Sequence, residues 1–271
     1  MKKILSQIVT IAVLCCIALL AGCEKDKEQG PALPPLSAFA IDLEDFTSAA
    51  PEKSVDTMSN FHLVVGGLSY WNLLLSLSMA IPVAAYAEAF NHDAERVDND
   101  TWQWSYSVNE TYSARLTADV MNDSIYLTMF VTKNEVFEDA VWYTGKCDIL
   151  RTGGEWTVYD IPLESETAWL HIEWNADYEA ETFDIKYLNV KPGADYEGSY
   201  IEYGITEESD YNAFYNLYNS FTNMLYEVDY NTETHVGTVS DGLNQLCWDE
   251  NFTNTICGEK SAPLVITKLY F

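Results

Sequence analysis

A histidine and a nearby carboxylate have the spacing that proton transfer or metal binding could use. His171 and Glu173 lie two residues apart in the segment WLHIEW. Residues two apart in a β-strand point to the same face, so both side chains would lie beside Trp169. A histidine with a carboxylate can act as an acid–base pair or bind a metal, but the sequence supplies no third ligand. We therefore favour a polar outer face, with Leu170 and Ile172 facing the core.

Four carboxylates lie close together in the segment DAERVDND, which we predict to be a loop. They are Asp93, Glu95, Asp98 and Asp100. Clustered carboxylates can bind calcium, and these four are the calcium candidates of the chain. The EF-hand pattern is absent, because Trp102 and Trp104 occupy positions that would need oxygen ligands. The favoured interpretation is a solvated linker without metal, and the sequence predicts no cofactor.

Tryptophans recur after residue 100, where they could stack against sugar rings or line a lipid cavity. Six of them are Trp102, Trp104, Trp142, Trp156, Trp169 and Trp174. Aromatic side chains that alternate along strands are more often core residues and cross-strand pairs. The candidate ligand-binding residues are Trp102, Trp104 and Trp169, together with His171 and Glu173.

Familiar catalytic motifs are missing from the sequence. It contains no Gly-x-Ser-x-Gly, P-loop, Rossmann or His-Glu-x-x-His pattern, and it has only three arginines and four histidines. We predict no catalytic residues. The enzyme alternative is a carboxylate-based glycoside hydrolase, because the paired acids of that class leave no local motif.

The first 22 residues have the composition of a signal peptide. Met1 to Lys3 supplies positive charge, and Ile4 to Leu20 is an apolar run without charge. The run ends in Leu20-Ala21-Gly22-Cys23, which resembles the lipobox of bacterial lipoproteins. The resemblance implies that residues 1–22 are removed and that Cys23 becomes the first mature residue, carrying palmitate-type acyl chains. Several such chains would anchor the protein firmly in a membrane.

Residues 23–37 have the composition of a flexible, lipidated tether. The charged residues directly after Cys23 resemble the surface-export signal of Bacteroidota lipoproteins, and Gly30 to Pro35 is rich in proline, which favours an extended spacer. We expect a cell-envelope protein anchored in the outer membrane. The sequence leaves open whether it faces the periplasm or the cell surface.

The chain is strongly acidic, with a formal net charge of −28. Loss of Lys2 and Lys3 with the signal peptide would leave −30. Such a charge argues against a nucleic-acid partner, because phosphates need Lys and Arg, and against lying flat on anionic lipid. High aromatic content argues against disorder. Residues 38–271 suit a single β-rich domain.

Three of the six cysteines would leave the disulfide count, since Cys15 and Cys16 lie in the signal peptide and Cys23 would be acylated. An exported protein can form disulfides. Cys247 and Cys257 close a short loop and are the favoured pair. Cys147 would then be a buried free thiol, although its pairing with either of the others stays open.

A long apolar segment at about residues 57–91 predicts helix. Thr57 to Ala87 contains no Asp, Glu, Lys or Arg, and Leu, Met and Ala favour helix. Pro82 should kink or end a first helix, so a helical hairpin is the alternative. A helix that is apolar all round lies deep in a core or in a membrane. We favour the core, because the membrane would have to accept Gly66, Gly67 and several polar side chains.

Apolar residues alternate from Thr101 onward, as they do in half-buried β-strands. The strand segments include TWQWSYSV, TYSARLTADV, SIYLTMFVT, AVWYTGKCDI, EWTVYDI, AWLHIEWN, TFDIKYLNV, SYIEYGIT, DYNAFYNLYNSF, NMLYEVDYN, HVGTVS and LVITKLYF, preceded by SAFAIDLEDF at residues 37–46. Short turns connect them, which predicts an antiparallel meander. The expected fold is mainly β with N-terminal helices (α+β): a barrel or strongly curved half-barrel around an apolar helix or helical hairpin.

Several of these segments resemble an uncharacterised group of Bacteroidota lipoproteins. They are LPPLSAFAIDLEDF, SYWNLLLSLSMAIPVAAYAEAF, TWQWSYSV, GGEWTVYDI and CWDE. The resemblance implies a lipidated, exported, β-rich domain, and in shape alone it is similar to lipocalins and curved-sheet lipoprotein carriers. We expect a non-enzymatic binding or envelope-structural role, with an apolar ligand in a β cavity. The alternative is a surface that binds a glycan or an envelope protein.

Overall fold

A computed structural model of the chain describes residues 30–41, 43, 46, 57–160 and 167–258. The predicted signal peptide, Cys23 and residues 24–29 of the tether lie outside these residues, as does the strand predicted at residues 264–271. Within the described part, one long helix is followed by an antiparallel meander of strands, which confirms the predicted mainly β class.

The helical elements are a 3-10 turn, η1 (Leu36–Ala38), and helix α1 (Ser59–Ala89). The strands are β1 (Glu95–Arg96), β2 (Thr101–Ser107), β3 (Tyr112–Met121), β4 (Ser124–Lys133), β5 (Phe137–Asp148), β6 (Gly153–Tyr159), β7 (Ala168–Asp177), β8 (Thr182–Asn189), β9 (Tyr200–Ile205), β10 (Ala213–Asn219), β11 (Met224–Tyr230), β12 (Gly237–Ser240), β13 (Gln245–Trp248) and β14 (Asn254–Thr255).

Each strand of the sheet pairs with its neighbours in the chain, so the spatial order runs from β1 to β14. β1 and β14 do not pair with each other, and the described sheet is therefore open. The closed barrel that we considered is wrong for these strands. The physical reason is that each edge ends in a strand of only two residues, which is too short to pair into a closing seam and also protects the edge from other chains.

The alternating residues of the strands form one buried face, as their period predicts. In β4, Ile125, Leu127, Met129 and Val131 are all buried. The register aligns this face across strands, since Leu116 of β3 lies opposite Met129, and Met129 lies opposite Tyr143 of β5. The segment DYNAFYNLYNSF, whose pattern fits helix or strand, forms β10.

Helix α1 packs against this buried face as one continuous helix through Pro82, so the predicted hairpin is wrong. Proline removes one helical hydrogen bond. Met79 and Ala85 on either side of it are buried, and these contacts hold the helix to the sheet. By length and composition α1 could also cross a membrane, but core helices of soluble proteins can have the same length and composition.

The two ends of α1 contact opposite ends of the sheet. Asn60 Nδ2 donates a hydrogen bond to the carbonyl oxygen of Cys247 in β13, at 2.9 Å. Near the other end, the Tyr106 hydroxyl of β2 donates to the carbonyl oxygen of Ala85, at 2.5 Å. The helix therefore lies across the strands, and β-strands near both edges fix its position.

The strand predicted at residues 37–46 is wrong in its described part, since Leu36–Ala38 form a 3-10 turn and residues 39–41 lack regular structure. Side chains of the sheet take the hydrogen bonds that a neighbouring strand would have made. Trp156 Nε1 donates to the carbonyl oxygen of Ala38 at 2.7 Å, and the Tyr187 hydroxyl donates to that of Phe39 at 3.3 Å.

The last part of the predicted tether packs against the domain. Leu33 is buried, and the carbonyl oxygen of Pro34 accepts a hydrogen bond of 2.7 Å from the Tyr86 hydroxyl of α1. Burial raises the pKa of Tyr86 well above its ordinary value, so this phenol stays a neutral donor. The free part of any tether therefore ends before Leu33.

Candidate functional site

A cavity of about 450 Å³ lies between the first half of α1 and strands β10 to β12. Its lining is mainly apolar and aromatic. The lining residues are His62, Leu63, Val64, Gly66, Gly67, Tyr70, Trp71, Tyr196, Ser199, Leu217, Tyr218, Asn219, Tyr226 and Val239. Its volume lies within the roughly 300–1,000 Å³ that is typical of small-molecule pockets.

Two adjacent glycines of α1 keep this space open. A methyl group added at Gly66 would meet nothing within 4 Å, whereas one added at Gly67 would lie 3.1 Å from the Cδ1 atom of Leu217. Glycine inside a helix costs about 0.5–1 kcal/mol relative to alanine. The pair thus weakens the helix at the point where the helix borders the cavity.

Two polar side chains of the cavity lining are hydrogen-bonded to neighbouring residues outside the lining. Ser199 Oγ lies 2.9 Å from Ser220 Oγ, and the Tyr218 hydroxyl donates to Asn223 Oδ1 at 3.0 Å. Among the lining residues there is no Asp, Glu, Lys or Arg. An apolar molecule without formal charge therefore suits this cavity better than an ion.

Two tyrosines stand at the cavity, one from the helix and one from the loop between β8 and β9. The ring centroids of Tyr70 and Tyr196 are 5.9 Å apart. Burial, followed by the neighbouring Tyr196, raises the pKa of Tyr70. The raised pKa keeps the Tyr70 phenol neutral, and the two rings add aromatic surface to the cavity.

His62 also lines the cavity, and the prediction of binding residues missed it. Its Nε2 atom is buried, and no hydrogen-bond partner for that atom lies among the described residues. One sequence signal could have found it. His62 is the only side chain between Thr57 and Ala87 that can carry a charge near neutral pH.

The predicted pair His171 and Glu173 lies on the solvated face of β7, away from this cavity. His171 Nε2 is 3.5 Å from Glu173 Oε1 and 3.8 Å from Glu155 Oε2 of β6. All three side chains reach solvent, so this is a polar cluster on the outer face of the sheet. The described residues contain no group of three His, Cys, Asp or Glu side chains that could hold a metal ion.

We expected Trp169 to share the solvated face with His171, but Trp169 is buried. The register between β6 and β7 shifts by one residue between Val158 and Tyr159, so Leu170 pairs with Val158 and Trp169 is left unpaired in the strand. Such a bulge turns two successive side chains toward one face. Trp169 and Leu170 are accordingly both buried in the core.

Four of the six tryptophans considered as a stacking platform are buried. Trp104, Trp156 and Trp174 are buried in the core, which is the more common role of aromatic residues that alternate along strands. Trp102 is half-buried, and the guanidinium of Arg96 lies 5.8 Å from its ring centroid. Of the tryptophans chosen as candidate ligand residues, Trp104 and Trp169 therefore lie in the core and Trp102 is half-buried in β2. None of them lines the cavity.

The calcium candidates also lie apart from any metal-binding arrangement. Glu95 belongs to β1, where it pairs with Gln103, and Asp98 Oδ1 accepts a hydrogen bond from the backbone nitrogen of Asn99. All four candidate carboxylates are exposed or largely so, and the described part of the chain brings no three of them into one ligand set. Within the described residues, the pairing of Glu95 in β1 therefore leaves these carboxylates without a common ligand set.

The described cysteines adopt the arrangement favoured by their spacing. Cys247 and Cys257 form a disulfide with their Cα atoms 5.3 Å apart. Cys147 is a buried free thiol in β5. Burial, with a smaller effect of Asp148, raises the pKa of the Cys147 thiol to about 12. It is therefore a core residue without nucleophilic reactivity at neutral pH.

A second depression, of about 940 Å³, lies between the N-terminal segment and strands β7 to β9. It is wider and more polar than the cavity beside α1, and Asp177 and Glu181 stand in its wall. The carboxylates in that wall disfavour an apolar ligand, which would take water away from them without a hydrogen-bond partner in exchange. We therefore place the candidate site at the cavity of about 450 Å³.

Comparison with known proteins finds no family model, no curated protein and no solved structure that matches this chain.

Proposed function

We propose that this protein is a lipid-anchored protein of the cell envelope that binds an uncharged apolar ligand in the cavity beside α1. The observation that carries this proposal is the cavity itself, which the helix leaves open instead of filling. Its apolar lining supports a ligand such as an acyl chain or another hydrocarbon group. Burial of such a group stabilises the complex by about 25 cal/mol per Å² of apolar surface.

The proposed fold is a sheet that curves around α1. About 25 residues separate the helix contacts at Asn60 and Ala85, which corresponds to about 38 Å of helix. The strands they touch, β13 and β2, are eleven strand spacings apart, or about 53 Å along the sheet. The path along the sheet is longer than the helix that bridges it, which supports a bend and hence a concave face for the cavity.

The proposed anchor is the acylated Cys23. Three successive features support it: the positive charges of Lys2 and Lys3, the uncharged apolar run from Ile4, and the Leu-Ala-Gly-Cys sequence that ends this run. It predicts that labelled palmitate enters the full-length protein in a bacterial host and that Cys23→Ser abolishes the labelling. Unchanged labelling of the variant would refute the anchor and leave the cavity proposal standing.

The ligand proposal is tested with N-phenyl-1-naphthylamine, an uncharged apolar probe whose fluorescence rises in apolar surroundings. The full-length protein is compared with Gly66→Phe and Ala84→Phe. Gly66 lines the cavity at its exposed rim, and no atom lies within 4 Å of an added Cβ, so a ring can be accommodated there without a clash at the Cβ. Ala84 is exposed on the same helix but does not line the cavity, so its variant is the matched control.

We expect the wild type and Ala84→Phe to bind the probe alike and Gly66→Phe to bind at least tenfold more weakly. Native mass spectrometry with lipid extraction should also find an apolar molecule on the wild type that Gly66→Phe lacks. Equal probe binding by all three proteins would show that the cavity is not the site. A wild type without probe binding or co-purified lipid would contradict the proposed function.

A further inference from the structure

The face of α1 that points away from the sheet carries an exposed apolar stripe. Its members are Leu63, Gly66, Tyr70, Leu73, Leu77, Ala80 and Ala84. Leu73 and Leu77 are 60% and 75% exposed, which is unusual for large apolar side chains on one surface. Our expectation that this helix is buried on every side is therefore wrong for this face.

The stripe has the spacing of a helix–helix seam. Its members alternate steps of three and four residues, so Leu63, Tyr70, Leu77 and Ala84 are each seven apart. This is the a/d pattern of two packed helices. The opposite stripe, seven apart from Phe61 to Ala89, is buried against the sheet. One helix thus presents two seams, and only one of them is occupied within the described chain.

We propose that the exposed apolar stripe binds the same stripe of a second copy of this chain. The stripe is the surface on which two acidic copies repel each other least, because Thr57 to Ala87 contains no Asp or Glu. Small residues at Gly66, Ala80 and Ala84 allow the two helices to approach closely.

A membrane surface is the less suitable occupant. Helices that lie on membranes carry Lys and Arg beside their apolar face, which attract anionic lipid. Helix α1 contains neither residue, and its charged residue, Glu88, is acidic. The acidic domain around it adds repulsion from anionic head groups.

The size of the stripe supports a weak but specific dimer. From Leu63 to Ala84 the helix rises about 32 Å, and two such stripes would bury on the order of 1,000 Å² in total, the lower limit of a specific interface. A membrane anchor would raise the effective concentration of the two copies. The dimer proposal stands independently of the ligand proposal, although Leu63, Gly66 and Tyr70 belong to both surfaces.

The test is disulfide cross-linking of the full-length protein in the envelope of a host cell. Leu73 lies at the middle of the stripe, so the Cys residues of Leu73→Cys meet in either a parallel or an antiparallel pair. Leu150→Cys is the matched control, because Leu150 is 71% exposed in the turn between β5 and β6. The native described cysteines do not interfere, since Cys147 is buried and the other two are bonded.

We expect at least a tenfold excess of cross-linked dimer for Leu73→Cys over Leu150→Cys, and loss of that excess when Leu77→Glu is added. Sedimentation of the purified wild type should show a concentration-dependent dimer that Leu77→Glu lacks, with unchanged circular dichroism. Equal cross-linking at both sites, or a monomer at all concentrations, would overturn the proposal. In a double variant, cross-linking of Leu73→Cys to Leu264→Cys of the same chain would show that residues 259–271 cover the stripe. Photo-cross-linking of the stripe to lipid would show that the membrane covers it. Either outcome would also refute the dimer.

Discussion

The indole ring of Trp156 occupies the space directly above Gly145, its partner on the neighbouring strand. A Cβ atom at Gly145 would lie 2.1 Å from Cε3 of this ring. Three further cross-strand pairs repeat the arrangement of a glycine under an aromatic ring. They are Gly154 with Trp174, Gly204 with Phe214, and Gly237 with Trp248. Aromatic rings over strand glycines cover backbone that would otherwise be exposed and fix the strand register.

Gly145→Ala should therefore destabilise the fold. The methyl group must displace a fully buried ring, and overpacking of this kind costs about 1–3 kcal/mol. Gly66→Ala is the control, because its added methyl meets nothing and removes a helix glycine, for a gain of about 0.5–1 kcal/mol. Urea unfolding of the two variants measures both changes. A Gly145→Ala protein as stable as the wild type would show that the ring can move aside.

The buried hydroxyls of Tyr86 and Tyr143 predict opposite results for the same substitution. Tyr86→Phe removes the hydrogen bond to Pro34 and should lower stability by about 1 kcal/mol. Tyr143→Phe removes a buried hydroxyl that has no partner among the described residues, so it should be neutral or stabilising. The free energies of unfolding in urea provide the comparison. Equal losses would show that the bond to Pro34 contributes nothing specific.

Removal of the disulfide should loosen the C-terminal end of the described sheet. Loss of a cross-link across ten residues lowers stability by roughly 3 kcal/mol in the chain-entropy model. Cys257→Ser is the variant to use, because Cys257 is only half-buried whereas Cys247 is buried in β13. Thermal unfolding with and without reductant should give a difference for the wild type and none for the variant.

Cys147 should resist alkylation in the folded protein. Its burial and the pKa of about 12 keep the thiol protonated and inaccessible at pH 8. Mass spectrometry after iodoacetamide treatment should show one modified internal thiol in urea and none in buffer. Rapid alkylation of the folded protein would contradict its place in the core.

Asp148 should make stability depend on pH in the acid range. Burial acts to raise its pKa, but hydrogen bonds from Thr152, Gly153 and Leu150 outweigh this effect and lower the pKa below its ordinary value. The ionised group therefore stabilises the fold above the unfolded-state pKa of about 3.9, and this contribution disappears as the pH falls through the lowered folded-state pKa. Asp148→Asn should be less stable than the wild type at pH 7, by less than about 1 kcal/mol because the carboxylate is only half-buried and solvent screens it. The two proteins should converge near pH 2, and a difference that persists there would refute the linkage.

The strands could be predicted because alternation is a local property. The buried series in β4, for example, can be read directly from its sequence, and the tertiary structure adds only the register. The segment at residues 37–46 has the same local pattern but a different structure. Trp156 and Tyr187, more than a hundred residues away, take its backbone hydrogen bonds. Pattern alone cannot anticipate such distant donors.

A cavity was expected from the sequence, but the residues that line it could not be predicted, for a related reason. Gly66 and Gly67 are visible in the sequence, but whether they leave space depends on how closely Leu217 approaches them in the folded protein. The tryptophans that attracted the ligand hypothesis are large enough to be needed in the core, and the cavity is lined mainly by tyrosine, leucine and valine instead. The residue types predict that an apolar surface for a ligand exists, but the tertiary packing determines which residues form it.

The order of elements along the chain has a consequence for how the protein folds. Helix α1 emerges first, yet Asn60 bonds to Cys247, which lies 187 residues later. Each strand, by contrast, pairs with its immediate neighbour, so hairpins can form one after another. The first turn of α1 can therefore make its hydrogen bonds to the sheet only after β13 and β14 have been synthesised. During folding that interval leaves an apolar segment of about thirty residues without Asp, Glu, Lys or Arg exposed, and a chaperone that shields it would act before the last strands form.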